Sequence, residues 1–380
     1  MTAARRGRAA VAAAVGVAAL LAACSGRGPR ASAGGGASDL GACARVEGVR
    51  QVRGEALCED AWACSRPPNG EWDRAGLRRI ALCDGAVGPV VLYLPGIHMN
   101  AELPGTDARV DLRLHLALAG YRVWGLDWRT HAVNQFAGEP ALRALAAWDR
   151  RVFAADAAWA IRFVRGADPG PLVLAGFSYG AGIAYELAAG GAAGVAALVI
   201  LDGAPASGEP VRVEGPVLDA GSSRLPWDAR ERLLAAVIAN PAGPSPAAGA
   251  RTAGAALADI LWTAPAFGGN GGLSAAREGV SDVQVLARLL ATYDRWWPAA
   301  ALGGDPPSPP RRPLPVIAFA STNLGPAWVE RVRAGAQAFG GERATVRVLP
   351  MHGHLDVLVG RLAAEEVYEP VRRWIEGGER

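Results

Sequence analysis

The chain has 380 residues, 51% of them hydrophobic, enough to bury a sizeable core in one large α/β domain with an insertion or in two ordinary domains. Its net charge of only +3 argues against an electrostatic nucleic-acid binder. All 39 basic residues are arginine, which alongside the many Ala and Gly residues reflects codon bias rather than function.

The N-terminus reads as a targeting signal. Arg5, Arg6 and Arg8 precede an apolar run from Ala9 to Ala23, too short for a mature membrane span. The run ends in Leu21-Ala22-Ala23-Cys24, which resembles a bacterial lipobox. Residues 1–23 are therefore expected to be a lipoprotein signal peptide and Cys24 the lipidated residue. The expected location is outside the cell's inner compartment, anchored to a bacterial membrane by acyl chains. The alternative is an ordinary secretory signal followed by a chance cysteine. Residues 24–42, rich in Gly, Ala, Ser and Arg, read as a flexible tether.

Four further cysteines, Cys43, Cys58, Cys64 and Cys83, all lie upstream of the first strong core strand. In an exported chain an even number implies two disulfides, with three pairings open. No CxxC pair occurs, so the pattern is a poor match to a zinc site. Around them, residues 49–57 and 77–82 read as antiparallel edge strands.

Short apolar runs bounded by turn residues then alternate with amphipathic segments, the pattern of buried parallel strands in an α/β sheet. The expected strands are Pro89–Leu94, Tyr121–Leu126, Pro171–Ala175, Val195–Leu201, Pro315–Ala320 and Ala344–Leu349. Helices are expected over 108–119, 144–165, 181–189, 328–339 and 357–375, the last kinked at Pro370. A crossover needs only a dozen or so residues. Residues 204–312 are therefore read as a helical cap insertion, with helices over 227–240, 247–262 and 283–296, between core segments 43–203 and 313–380.

Gly176-Phe177-Ser178-Tyr179-Gly180 matches G-x-S-x-G between a strand run and an Ala-rich helix. Such a strand–turn–helix elbow exposes a serine oxygen at the helix N-terminus, so Ser178 is the expected nucleophile. Among five histidines, His352 and His354 follow the last strand, and His354 is the expected base. His115 reads as structural, His98 lies in the loop after the first strand, and His131 is positioned to line a pocket.

These pieces, with Leu94-Pro95-Gly96-Ile97, Asp127-x-Arg129 and Gly353-His354, resemble the α/β-hydrolase fold family over residues 49–376. The resemblance implies a mostly parallel sheet with helices on both faces and an oxyanion hole from the N–H groups of Ile97 and Tyr179. It also places an acid after the fifth strand, where this chain reads Ser321-Thr-Asn-Leu-Gly-Pro326 with no carboxylate. Asp202, ending the preceding strand, is the preferred acid, with the Asn323 amide as rival and a degenerate site as the third reading. Asp127 is expected to pin its own turn by pairing with Arg129, and Asp356 lies too near His354 in sequence to reach its ring.

The expected activity is hydrolysis of a small-molecule or lipid ester by a Ser178–His354–Asp202 acyl-enzyme mechanism, with no metal or organic cofactor. A peptidase, amidase or acyltransferase on the same fold, or a non-catalytic anchored binding protein, are the alternatives. Trp227, Trp262, Trp296 and Trp297 either wall the substrate pocket or simply pack the cap.

Overall fold

Strands form where runs of Val, Leu and Ile are stopped by Gly, Pro or Asp, and helices where Asp or Thr caps an apolar stripe. The computed structural model describes residues 43–377 except 47–49, 53–55, 193, 209–212, 222–224, 248 and 250. The expected signal peptide, Cys24 and the tether lie outside the described residues.

Strands β1 (Cys43–Arg45), β2 (Arg50–Val52), β3 (Leu57–Ser65) and β4 (Arg74–Leu82) make an antiparallel group in which β3 pairs with each of the others. The cysteines pair as Cys43–Cys64 and Cys58–Cys83, stitching β1 to β3 and β3 to the end of β4. Next come β5 (Val90–Leu94), α1 (Leu112–Leu118), β6 (Arg122–Asp127), α2 (Glu139–Ala146), α3 (Arg150–Ala167), β7 (Leu172–Phe177), α4 (Tyr179–Ala189) and β8 (Val195–Leu201). The long connection that follows holds β9 (Val217–Asp219), α5 (Trp227–Ala239), α6 (Ala253–Trp262), α7 (Val283–Ala291) and β10 (Trp296–Pro298). The chain returns through β11 (Val316–Ser321), α8 (Pro326–Gly340), β12 (Ala344–Leu349), α9 (Asp356–Val359) and α10 (Glu369–Ile375).

The main sheet runs β1-β3-β4-β6-β5-β7-β8-β11-β12, parallel from β6 to β12 and antiparallel on the other side. Side chains alternate between its faces. In β5, Val90, Leu92 and Leu94 join the core beneath α3, α4 and α8, while Val91 and Tyr93 join the core beneath α1 and the helices of the long connection. Both faces are covered, so strands read as continuous apolar runs. Burying each such side chain stabilises the fold by roughly 1.5–3 kcal/mol.

Several expected boundaries shift for local reasons. The helix expected over 144–165 is two helices, because Asp149 caps α3 by accepting from Val152 N–H. Helix α6 starts only at Ala253, where Thr252 accepts from Ala255 N–H. The helix expected to reach Trp296 stops at Ala291, and Trp296–Pro298 pairs with β9 instead. The closing helix breaks at Gly360, whose ψ of 149° leaves the helix, rather than at Pro370. Pro370 lies inside a continuous helical stretch, residues 363–375, directly after a π-helical turn at Ala364–Tyr368, the local widening that accommodates a residue with no N–H to donate.

Candidate active site

Ser178 stands between the end of β7 and the start of α4 with φ 53° and ψ −115°, a conformation that L-residues rarely adopt. The turn closes only because its neighbours lack side chains. A Cβ on Gly180 would lie 2.0 Å from Leu94 O, and one on Gly176 would lie 2.6 Å from the Ala181 backbone. Ser178 N–H donates to Leu201 O at 3.1 Å, tying the turn to β8. Helix α4 begins at the next residue, so its first N–H groups and positive dipole end are at the serine.

His354 Nδ1 donates to Asp202 Oδ2 at 2.6 Å, with the imidazole nearly buried and the carboxylate fully so. At that length the bond is charge-assisted. Asp202 is the first residue after β8 and has φ 45°. Three further donors fix its carboxylate: Ser321 N–H and Trp328 Nε1–H on Oδ1, at 2.8 and 2.9 Å, and Ser321 O–H on Oδ2 at 2.8 Å. The histidine ring lies against Phe177, the residue before the serine, at 4.6 Å between centroids, and against Phe267 at 5.3 Å. Asn323 does not meet the ring: its amide donates to Met351 O at 2.9 Å and Gly271 O at 3.4 Å. Ser321 went unnoticed in sequence because a serine ending a strand carries no signal of its own.

Gly96 to Met99 is a turn closed by Met99 N–H on Gly96 O at 3.2 Å, with His98 at φ 59°. Neither Ile97 N–H nor Tyr179 N–H takes a backbone acceptor among the described residues. Two main-chain donors are thus left at the ends of β5 and β7, adjacent strands of the sheet. No group of three or more His, Cys, Asp or Glu side chains among the described residues is arranged to hold a metal ion.

The sequence family described as alpha/beta hydrolase fold matches residues 89–255, a stretch that contains Ser178 and Asp202. A crystal structure from Sulfolobus solfataricus, a lipase by assignment, is similar at 23% identity and TM-score 0.72, covering 88% of this chain and 99% of its own. The chain has the α/β-hydrolase fold. An esterase from Thermogutta terrifontis, solved with malate bound, is similar at 16% identity and TM-score 0.44, covering 82% of this chain and 97% of its own. Brefeldin A esterase, a bacterial homologue of human hormone-sensitive lipase, is similar at 13% identity and TM-score 0.45, over 85% of this chain and 75% of its own. No curated protein matches the sequence.

In this hydrolase-fold chain the segment between β8 and β11 lies over the loops at the strands' C-terminal ends. Asp294 accepts from Thr130 O–H at 2.9 Å, His131 Nδ1–H at 2.9 Å and Asn100 Nδ2–H at 3.0 Å. His98 Nδ1–H donates to Asp294 O at 3.0 Å. Burial disfavours a proton on the second His98 nitrogen and lowers its pKa to about 4. Burial also works against charge on His131, but the hydrogen bond to Asp294 and the charges of Asp127, Asp294 and Glu102 outweigh it and raise its pKa to about 9. His115 packs on Tyr368 and Glu369, away from these groups. His352 donates to Pro350 O and faces Glu366 at 3.2 Å, shaping the loop before His354.

Two expectations change. Asp127 does not pair with Arg129; it accepts from Ala101 N–H at 2.7 Å and Arg78 at 2.9 Å, while Arg129 turns inward to Asp156 and Asp73. Asp127 is the last residue of β6, whereas Arg129 opens a 3-10 turn over Arg129–Ala132, so the two side chains leave the chain in different directions. Of the four tryptophans, Trp297 is wholly buried between Phe153 and Tyr179, and Trp227 is buried beneath Arg230. Both are packing residues. Trp262 and Trp296 are half-buried beside Arg277 and Arg295.

Proposed function

We propose that the chain is a serine hydrolase that cleaves carboxylic esters through an acyl-enzyme. Ser178 Oγ attacks the ester carbonyl carbon and gives its proton to His354 Nε2, while Asp202 stabilises the imidazolium through Nδ1. The oxyanion is met by the N–H groups of Ile97 and Tyr179. Collapse of the tetrahedral intermediate breaks the bond to the alcohol, which leaves with the proton from His354. Water, deprotonated by the same imidazole, then attacks the acyl-enzyme, and the second collapse releases the acid and restores Ser178.

The observation that carries this reading is the 2.6 Å bond between His354 and Asp202, groups 152 residues apart in the chain, beside a serine in a strained elbow. Strained backbone and a buried, fully partnered carboxylate are costly features that cluster at functional sites. A fluorophosphonate probe tests it. Labelling confined to Ser178 and abolished by Ser178→Ala is expected; unmodified Ser178 in folded protein refutes the proposal.

We further propose export and anchoring through Cys24. The two disulfides support an oxidising compartment, where such bonds persist.

A further inference from the structure

Two buried carboxylates outside the proposed catalytic group join the long connection to the loops that carry that group. Asp356, with no exposed surface, accepts on Oδ1 from Ser274 and Ser281 hydroxyls at 2.6 Å each, and on Oδ2 from Ala275 N–H and Gly353 N–H at 2.7 Å each. Three of these donors belong to the connection between β8 and β11; the fourth is the residue before His354. The backbones add their own ladder: His354 N–H to Gly272 O at 2.8 Å, Leu355 N–H to Leu273 O at 2.9 Å, and Arg361 N–H to Val280 O at 2.8 Å. Gly353 allows this approach, since a Cβ there would lie 2.2 Å from Gly271 O.

Asp294 does the same on the other flank. Its carboxylate receives Asn100, Thr130 and His131 from the loops after β5 and β6. Its own N–H donates to His98 O at 2.7 Å, next to Ile97. Asn100 also donates to Thr292 O at 2.6 Å. Opening the connection like a lid would strand both carboxylates and their donors at once, and each unpartnered buried group is expensive.

We infer that Asp356 and Asp294 are positioning residues that rivet the connection in place as a fixed wall. The site is then assembled before substrate arrives, and the substrates are dissolved single ester molecules reached without opening at a lipid interface. This rests on the serine-hydrolase reading above.

The hydrogen-bond geometry sets the test. In Asp356→Asn the amide oxygen can take the two backbone N–H groups while its NH2 donates to the two serine hydroxyls, which rotate to accept. Asp356→Ala satisfies none of them. Asp356→Ala is expected to lower kcat about a hundredfold with KM within about twofold, and Asp356→Asn to recover most of that loss. Asp294→Ala is expected to lower kcat similarly, as an independent readout should Asp356→Ala fail to fold. With the wild-type protein, tributyrin hydrolysis is expected to saturate smoothly as the ester passes its solubility limit. An upward break in rate when emulsion forms overturns the fixed wall, as does unchanged kcat in both alanine variants or equal loss in Asp356→Ala and Asp356→Asn. If wild-type Ser178 resists the fluorophosphonate probe, the hydrolase reading falls and this inference with it; labelling together with an interfacial break overturns the inference alone.

Discussion

Ser178 and Asp202 both hold positive φ, at 53° and 45°, where a non-glycine residue costs of order 1–3 kcal/mol. The surroundings over-determine both: glycines crowd the serine turn, and Asp202 is held by four side-chain or main-chain donors. Replacing Asp202 with asparagine keeps the shape but removes the charge that stabilises the imidazolium. Turnover of an activated ester should fall by about a thousandfold or more in Asp202→Asn, against little change in Asn323→Ala. Near-full turnover in Asp202→Asn would show that the acid lies elsewhere.

The two histidines beside Asp294 give opposite pH dependences. His98 has its pKa lowered to about 4, so the unfolded chain takes up a proton near pH 6.5 that the folded chain refuses. Stability is therefore undiminished above pH 6.5 and falls by about 3 kcal/mol as pH drops toward 4. His131, raised to about 9, contributes stability that is fully present below pH 6.5 and is lost as pH rises through 9. Thermal melts across pH 4 to 10 should show both limbs. His98→Asn, which tolerates the left-handed backbone, should flatten the acid limb and His131→Gln the alkaline one; limbs unchanged in these variants would assign them to other groups.

At the scale of elements, α3 is held to the edge of the sheet by buried charge. Asp156, fully buried on α3, accepts from Arg129 at 2.7 and 2.8 Å and from Arg66 at 3.0 Å, while Arg129 also meets Asp73 at 2.6 Å. Arg66 and Arg129 lie over the rings of Trp159 and Trp148. Removing the central carboxylate leaves two buried guanidinium groups short of charge. Asp156→Ala should cost about 3–5 kcal/mol, read as a lower urea midpoint at unchanged slope. A loss below about 1 kcal/mol would place this network with surface ion pairs in its worth. The strands themselves were legible in sequence, because each is a run of apolar residues ended by Gly, Pro or Asp. Helix ends were less so, since α3 and α6 start at caps that compete with propensity running past them.

For the molecule as a whole, the proposed anchor predicts a partition. Cys24→Ala should move the protein from the membrane fraction to the soluble one, and unchanged membrane attachment would refute lipidation at that residue.

Local chemistry determined much: periodicity sets out the order of strands and helices, and the GFSYG segment marks an elbow because glycine is what a tight strand-to-helix turn demands. Even the spare length between β8 and β11 could be counted from the sequence. The partner of His354 could not, because Asp202 and Asn323 lie just past the ends of neighbouring strands and only the packing of β8 beside β11 decides which side chain reaches the ring. The same holds for the cysteine pairs, set by strand register, and for Asp356. That carboxylate, adjacent in sequence to the histidine loop, takes three of its donors from residues about 75 to 82 positions away. Such contacts are made by chain segments meeting in space, and a linear pattern holds no record of the meeting.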